Sequence, residues 1–208
     1  TETLPVASGN NQLVITISRQ YGSGGHQIGE ILAKELDIPL YDKSIIDRTA
    51  NDLGYSQTKV KEQEQTTTPM QLLEMVFADS GGVLPDMELS EDDAIFVTES
   101  RIIRDLAAKG SCIIIGRCAD FVLRDRPNCF HVFVRADVEQ AKNRVVEEYL
   151  VPSEKAVAEI EKVDKERAAH YWRYTGKRWA DSENYDLVLN SSKTGITKAV
   201  KMIREAAL

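Results

Sequence analysis

The feature that most constrains this chain is a strand of buried type that leads directly into a glycine-rich loop and then into a helix. Residues 13–18 (LVITIS) are β-branched and almost wholly apolar, which is typical of a parallel strand covered on both faces. Three glycines follow, and apolar residues then recur at helical spacing as far as Leu36, before Pro39 ends the helix. This order predicts an α/β core whose first loop presents backbone amides to a small cavity.

Strands and helices continue to alternate, which predicts a parallel sheet with helices on both faces, a three-layer α/β fold. Ser90 and Asp137 are the expected N-caps of two helices, because each is followed three residues later by an acidic or amide side chain. Further strands are expected at 38–41, 112–115, 130–134 and 187–189, and further helices at 44–53, 90–109, from 137, from 153 and at 197–207.

The length suits one domain, 1–208, with modest insertions. We assign 12–54, 94–149 and 181–208 to its core. Residues 55–93 interrupt the alternation of strands and helices, and we interpret them as an acceptor-binding insertion; the charged stretch 150–180 is interpreted as a lid.

Charge and cysteine usage exclude several classes of protein. The net charge of −7 argues against nucleic acids and anionic membranes as partners, since both require a basic face. The three cysteines form no C-x-x-C pair and no even disulfide set, and no apolar run approaches the length of a membrane span. We therefore expect a soluble cytoplasmic protein that binds small molecules; its oligomeric state does not follow from the sequence.

The loop between the first strand and the first helix is suited to phosphate. Glycines permit the positive φ angles of an anion-binding nest, and the helix start adds free N–H groups and a positive dipole end. The expected phosphate-binding residues are Gly22, Ser23, Gly24, Gly25, His26 and Gln27.

The loop departs from the Walker A pattern G-x-x-x-x-G-K-[ST], in which a lysine follows the last glycine. Here Gly24 is followed by Gly25 and His26, so the lysine and the hydroxyl are both absent. Arg19, at the position of the first Walker glycine, is the nearest replacement charge; alternatively it pairs with an acid such as Glu30 and only steadies the loop.

A Rossmann loop, G-x-G-x-x-G, is the rival interpretation. Gly22 and Gly24 satisfy its first two positions, Gln27 fails the third, and Asp42 lies about the expected distance onward. A nicotinamide or flavin oxidoreductase is therefore kept as a minor alternative.

Several segments, in order along the chain, resemble those of one kinase family. Residues 40–48 contain an Asp followed six residues later by an Arg, 114–118 resemble a strand-end G-R-D with Cys118 in place of the aspartate, and 164–167 match a D-x-x-R lid motif. Residues 126–136 and 185–192 resemble the segments around two later strands. The chain thus resembles the cytidylate kinase-like family, which implies a P-loop kinase fold, ATP and a pyrimidine nucleotide as substrates, and Mg²⁺.

Phosphoryl transfer needs convergent positive charge around the transferring group, so arginines are the first candidates. Arg117 ends a buried strand at the edge where open α/β sheets bind ligands; a salt bridge to Asp120 or Asp125 is its structural alternative. The resemblance implies that Arg48 binds the acceptor monophosphate and that Arg104 binds nucleotide.

The helix expected from 153 carries Ala156, Ile160, Val163 and Arg167 on one stripe, so Arg167 continues an apolar face and should enter a cleft. Asp164 is expected to orient it. The lid candidates that follow are Arg173, Lys177 and Arg178.

The favoured hypothesis is transfer of the terminal phosphoryl of ATP to a nucleoside monophosphate, CMP or a related pyrimidine nucleotide. Arg19, Arg117 and Arg167 are its catalytic candidates, and Asp42, Arg48, Arg104 and Asp164 its acceptor-binding candidates. Asp42 is also preferred over Asp120 as the Mg²⁺ ligand. A nucleotide-binding pseudokinase is the alternative, since the Walker lysine is missing.

Overall fold

The sheet is entirely parallel and has the strand order β2-β3-β1-β4-β5. The computed structural model of the chain describes residues 12–52 and 90–208. Its strands are β1 (Val14–Arg19), β2 (Leu40–Tyr41), β3 (Cys112–Ile115), β4 (Cys129–Arg135) and β5 (Leu187–Asn190). The central strand is β1, whose Ile17 pairs with Ile115 of β3 and with Val132 of β4.

This strand order corrects the Rossmann alternative. In doubly wound dinucleotide-binding sheets, the strand after the first helix lies beside the first strand. Here β3 lies between β2 and β1, so the glycine loop after β1 belongs to a P-loop sheet. The minor prediction of a Rossmann-type oxidoreductase is therefore wrong.

Helices cover both faces of the sheet, as the sequence predicted. They are α1 (Gly25–Leu36), α2 (Lys43–Asp52), α3 (Glu91–Lys109), α4 (Ala119–Val122), α5 (Val138–Glu147), α6 (Ala156–Thr175), α7 (Ser191–Thr194) and α8 (Ile196–Ala207), with a 3₁₀ turn at Ser182–Asn184. Leu32 of α1 and Ile203 of α8 pack on one face, and Ile103 of α3 packs on the other. Each such fully buried aliphatic side chain contributes roughly 1.5–3 kcal/mol.

The expected lid segment contains one continuous helix, α6, which begins at Ala156 rather than near 153. Its last turns belong to the core, because the Tyr174 ring stacks on that of Phe96 with centroids 4.0 Å apart. Trp179, farther along, packs edge-on against Phe133. The expected acceptor-binding insertion, 55–93, lies outside the described residues except for 90–93.

Both expected caps occupy the N-cap position, but only one makes the capping hydrogen bond. Ser90 Oγ accepts from the amide of Asp93 at 3.3 Å and starts α3. Asp137 directly precedes α5, as predicted, but its carboxylate accepts from Asn190 Nδ2 and pairs with Lys193 instead of capping the helix. In the described part of the chain, no helix has both the length and the apolar character needed to cross a membrane.

Candidate active site

Three backbone carbonyl groups at the end of β1 and in the loop after it accept hydrogen bonds from side chains of later helices. Arg167 Nη1 donates to Arg19 O at 2.8 Å, Arg144 Nη1 to Gly22 O at 2.6 Å, and Ser191 Oγ to Ser23 O at 2.7 Å. The loop is thus held from outside by side chains of α5, α6 and α7.

Some amide groups of the loop and the helix start are left free, whereas those of Tyr21 and Ser23 are engaged. The amides of Gly24, His26 and Gln27 have no acceptor anywhere in 12–52 or 90–208. Gly24 has φ +75° and is followed by the twelve-residue helix α1. Free amides at the positive end of a helix form a cradle for a phosphate chain.

Two of the loop glycines are required by close packing as well as by their positive φ. A Cβ at Gly22 would lie 2.7 Å from the carbonyl oxygen of Ala141, and one at Gly24 would lie 2.6 Å from Ile196 Cδ1. The loop is therefore pressed against α5 and α8, which fixes its shape before a ligand binds.

Arg144 is a residue that the sequence reasoning missed. Besides its bond to Gly22 O, its guanidinium carbon would lie 3.2 Å from a Cβ at Gly24. It brings positive charge against the loop while pairing with Glu148 at 3.5 Å. Its place three residues after the buried Ala141, on the same helix face, is the signal that could have revealed it.

A cavity of about 380 Å³ opens beside the loop at the carboxyl edge of the sheet. The strand ends contribute Ser18, Arg19 and Arg117, and α6 contributes Val163, Arg167 and His170. Arg19, Arg117 and Arg167, predicted from separate parts of the chain, thus line one cavity.

Arg19 lies between the loop and this cavity. Its alkyl chain passes over Gly25 and its guanidinium over Gly116. Desolvation, with repulsion from Arg167, lowers the pKa of Arg19 to about 10. No carboxylate pairs with it among the residues described, and the alternative partner Glu30 contacts His26 instead.

Asp164 supports the loop. Its Oδ1 accepts from the amide of Tyr21 at 2.7 Å and lies 3.7 Å from Arg167 Nη1. Burial raises the pKa of Asp164, although the Tyr21 amide and Arg167 oppose that shift. The carboxylate therefore holds both the loop and Arg167, as the expectation that it orients Arg167 requires.

Arg117 pairs with Glu99 of α3, so both acids named as its alternative partners are wrong. Asp120 instead accepts from Tyr171 Oη at 2.6 Å, and Asp125 contacts Arg124. Arg117 has φ +55°, directly after Gly116 at +71°, so β3 ends in a left-handed turn beside the cavity.

Asp42 borders the loop but is already engaged. Its Oδ1 accepts from Ser44 Oγ at 2.7 Å and from the Ile45 amide at 3.1 Å, and its Oδ2 lies 3.3 Å from His26 Nε2. Although desolvation raises the pKa of Asp42, these hydrogen bonds together lower it below its ordinary value.

The described side chains contain no group of three or more His, Cys, Asp or Glu that could hold a metal ion. An Mg²⁺ ion that arrives with nucleotide phosphates keeps several waters and needs only one or two carboxylates. The ionised Asp42 fits that requirement.

None of the predicted acceptor-binding and lid residues lines the cavity; Asp42 and Asp164 border the loop, and the other five lie elsewhere. Arg48 is exposed on α2, and Arg104 is half-buried on α3. Arg173 Nη2 pairs with Asp93 at 2.9 Å, Lys177 borders a separate cavity of about 220 Å³, and Arg178 is exposed.

His170 is a second residue that the sequence reasoning missed. Burial lowers the pKa of His170 to about 4, with repulsion from Arg117 adding to the shift, so the ring is neutral near pH 7. Its buried Nε2 has no hydrogen-bond partner within the described ranges. A buried polar atom without a partner carries a desolvation cost, and the His170 side chain borders the cavity.

Comparison with known proteins agrees with the fold. An uncharacterized protein from Eubacterium ventriosum superposes with a TM-score of 0.72 at 28% identity, over 94% of this chain and 98% of that one. Shikimate kinase from Acinetobacter baumannii gives 0.52 at 14% identity, over 97% and 96%. A gluconokinase from Sinorhizobium meliloti gives 0.51 at 11%, over 96% and 93%.

The two kinases, at these identities, show the P-loop kinase fold. No curated protein sequence matches the chain. The family model of the cytidylate kinase-like family matches residues 14–193, and the chain belongs to that family.

Proposed function

We propose that the protein transfers the terminal phosphoryl group of ATP to a nucleoside monophosphate, with CMP or a related pyrimidine nucleotide as acceptor. The observation that carries this proposal is Arg19, a partly buried guanidinium without a carboxylate partner in the described structure, between an amide cradle and a cationic cavity. A partly desolvated charge gains from a counter-charge, and a bound phosphate supplies one.

Each part of the site has a role in this reaction. Amides of Gly24, His26 and Gln27 hold donor phosphates, while Arg19 and Arg167 neutralise charge on the transferring group. An acceptor phosphate is already anionic, so no protein base is required. Mg²⁺, when bound, neutralises further phosphate charge, and Asp42 is the carboxylate proposed to hold it.

The acceptor assignment is supported by the cavity and the family. A volume of about 380 Å³ lies in the range of small-ligand sites, and the neutral His170 and Tyr171 provide a polar and aromatic wall suited to a base. Acceptor contacts from Arg48, Arg104 and Asp164, and closure by Arg173, Lys177 and Arg178, belong to the same proposal.

A panel of nucleoside monophosphates with ATP and Mg²⁺, read by diphosphate formation, tests it. We expect CMP to be phosphorylated faster than purine monophosphates. Arg167→Ala should abolish most turnover, and Arg204→Ala, which breaks a remote pair with Glu35, should not. Phosphorylation of no monophosphate, or equal rates with all of them, would contradict the proposed acceptor.

A pseudokinase is the second candidate, because His26 stands where a Walker loop has its hydroxyl and contacts Asp42. That function predicts ATP binding without diphosphate formation for any monophosphate. The same panel, combined with an ATP titration, separates the two functions.

A further inference from the structure

We propose that Arg19 is the cation that contacts the terminal phosphate of the donor, and that Gly25 and Gly116 position it by leaving room for its side chain. The proposal rests on the proposed function. Compared with the Walker A motif, the glycine at the first position and the cation after the last glycine have changed places.

The exchange is visible in the loop sequence. A G-x-x-x-x-G-K loop begins with glycine and carries its lysine directly after the second glycine. In this chain Arg19 occupies the first glycine position and Gly25 the lysine position, with Gly24 unchanged between them. The cation has thus moved from the first residue of α1 to the last residue of β1.

Contact, and not backbone conformation, explains the glycine at 25. Gly22 and Gly24 have positive φ, whereas Gly25 does not. A Cβ at Gly25 would lie 2.5 Å from Arg19 Cβ and 3.0 Å from Arg19 Cγ. Any other residue at 25 would displace the alkyl chain of Arg19.

The guanidinium end of Arg19 packs closely against Gly116, as its alkyl chain packs against Gly25. A Cβ at Gly116 would collide with Arg19 Nη1, and Gly116 also needs its positive φ of +71°. The guanidinium therefore lies across the start of the turn that ends β3. Two glycines distant in sequence leave space for one side chain.

The charges around Arg19 call for an anion. Its neighbours include Arg167 and Arg117, and the positive end of α1 starts beside it. Asp42 contributes an attraction, but no carboxylate within the described ranges forms an ion pair with Arg19. A triphosphate in the amide cradle would bring negative charge to this point.

The test is a pair of substitutions that together restore the Walker A order, with glycine at position 19 and lysine at position 25. Arg19→Gly should weaken binding of ATP and of inorganic tripolyphosphate by about tenfold to a hundredfold, as expected for one charge-assisted contact. Gly25→Lys alone should also bind poorly, because its side chain collides with Arg19. The double variant Arg19→Gly/Gly25→Lys should recover most of the affinity. Calorimetric titration measures binding, and thermal melting confirms that each variant is folded.

A matched control is available at the end of the neighbouring strand. Arg135 is the exposed last residue of β4, and in the described part of the chain only its carbonyl oxygen, through the Ser191 hydroxyl, is linked to the loop, so Arg135→Ala removes a strand-end cation while keeping that backbone contact. It should leave tripolyphosphate affinity unchanged. Arg19→Lys keeps the charge without the planar fork, so it should recover part of the tripolyphosphate affinity that Arg19→Gly loses. This variant replaces the double variant as the test if the double variant does not fold.

Gly116→Ala completes the design. It should weaken tripolyphosphate binding in the parent protein but add little in the Arg19→Gly background, whereas the strain at positive φ lowers stability in both. Equal losses of affinity in both backgrounds would contradict the role assigned to Gly116.

The inference is overturned if folded Arg19→Gly binds tripolyphosphate as tightly as the parent does. It is also overturned if the folded double variant binds tripolyphosphate no more tightly than Arg19→Gly. CMP phosphorylation can persist in that case, so the proposed function survives. If the exchange behaves as expected but no monophosphate is phosphorylated, the acceptor proposal fails and the role of Arg19 stands.

Discussion

Glu99, the ion-pair partner of Arg117, is a buried carboxylate next to the site. It is only 3% exposed, pairs with Arg117 and lies near Asp47. Desolvation is the dominant influence and, despite the attraction of Arg117, raises the pKa of Glu99 from its ordinary value of 4.5 to about 7. Burial of this charge therefore opposes folding.

The raised pKa of Glu99 determines how its contribution to the stability of the fold changes with pH. The folded protein holds the Glu99 proton up to about pH 7 and the unfolded chain only to about 4.5, so stability falls as pH rises between these values and then levels. In Glu99→Gln this contribution is absent. The stability of the parent relative to Glu99→Gln should therefore decline by up to about 3 kcal/mol from pH 4.5 to 7.5.

Urea unfolding of both proteins across that range measures the difference. Asp105→Asn, an exposed carboxylate on the same helix, is the control and should leave the slope of the parent unchanged. Parallel curves for the parent and Glu99→Gln would contradict the raised pKa.

The sequence predicted those site residues that a motif or a helical stripe marks. Arg19, Arg117 and Arg167 were chosen from a loop position, a strand end and an apolar stripe, and all three line the cavity. Arg144 and Glu99 act through partners far along the chain, Gly22 and Arg117. No local pattern names such a partner, because the pairing depends on how helices pack.

At the scale of elements, α6 has a cavity-lining half and a core half that meet at His170 and Tyr171. Val163 and Arg167 line the cavity, and Tyr174 is buried in an aromatic cluster with Phe96. His170 and Tyr171 contact both the cavity and that cluster. One helix thus links the site to the core.

Matched substitutions on α6 should separate these halves. Tyr174→Ala removes a buried aromatic ring and should lower stability by about 3–5 kcal/mol while leaving ATP affinity of the folded protein intact. Arg167→Ala should have the opposite profile, with a stability loss of about 1 kcal/mol and strongly reduced ATP affinity. Melting curves and ATP titrations on both variants measure the two effects. A loss of affinity in folded Tyr174→Ala would mean that the halves are coupled.

Element types were predictable and some of their contacts were not. The β-branched runs gave all five strands to within a few residues, because buried parallel strands have a distinctive composition. The Asp137 cap failed because Asn190 and Lys193, brought in by β5 and α7, compete for its carboxylate. The charge of 150–180 suggested a lid, but its aromatic residues anchor the end of α6 in the core.

At the scale of the whole molecule, an acidic protein encloses a cationic site. The net charge is −7, yet Arg19, Arg117 and Arg167 meet at the carboxyl edge of β1 and β3. Desolvated charges act strongly at short distances in a low local dielectric, so we expect the cavity to attract anions despite the surface charge. Arg19 borders both the loop and the cavity, and we therefore expect the two to form one continuous site.

If the loop and the cavity are one continuous site, a ligand that joins a donor to an acceptor should bind across both. An adenosine and a cytidine joined by five phosphates should occupy the loop and the cavity together, with the second half bound at a high effective concentration. Its melting temperature shift should exceed that from ATP and CMP added together at the same concentration. A hundredfold excess over Kd stabilises the fold by about 2.7 kcal/mol, which corresponds to roughly 5–10 °C for a domain of this size.

The adenosine–adenosine analogue is the control for the base and should shift the melting temperature less. NAD and FAD should give no shift. A linked ligand that stabilises no more than ATP alone would mean that the amide cradle and the cavity bind separately, and the Arg19 side chain would then not join a donor to an acceptor.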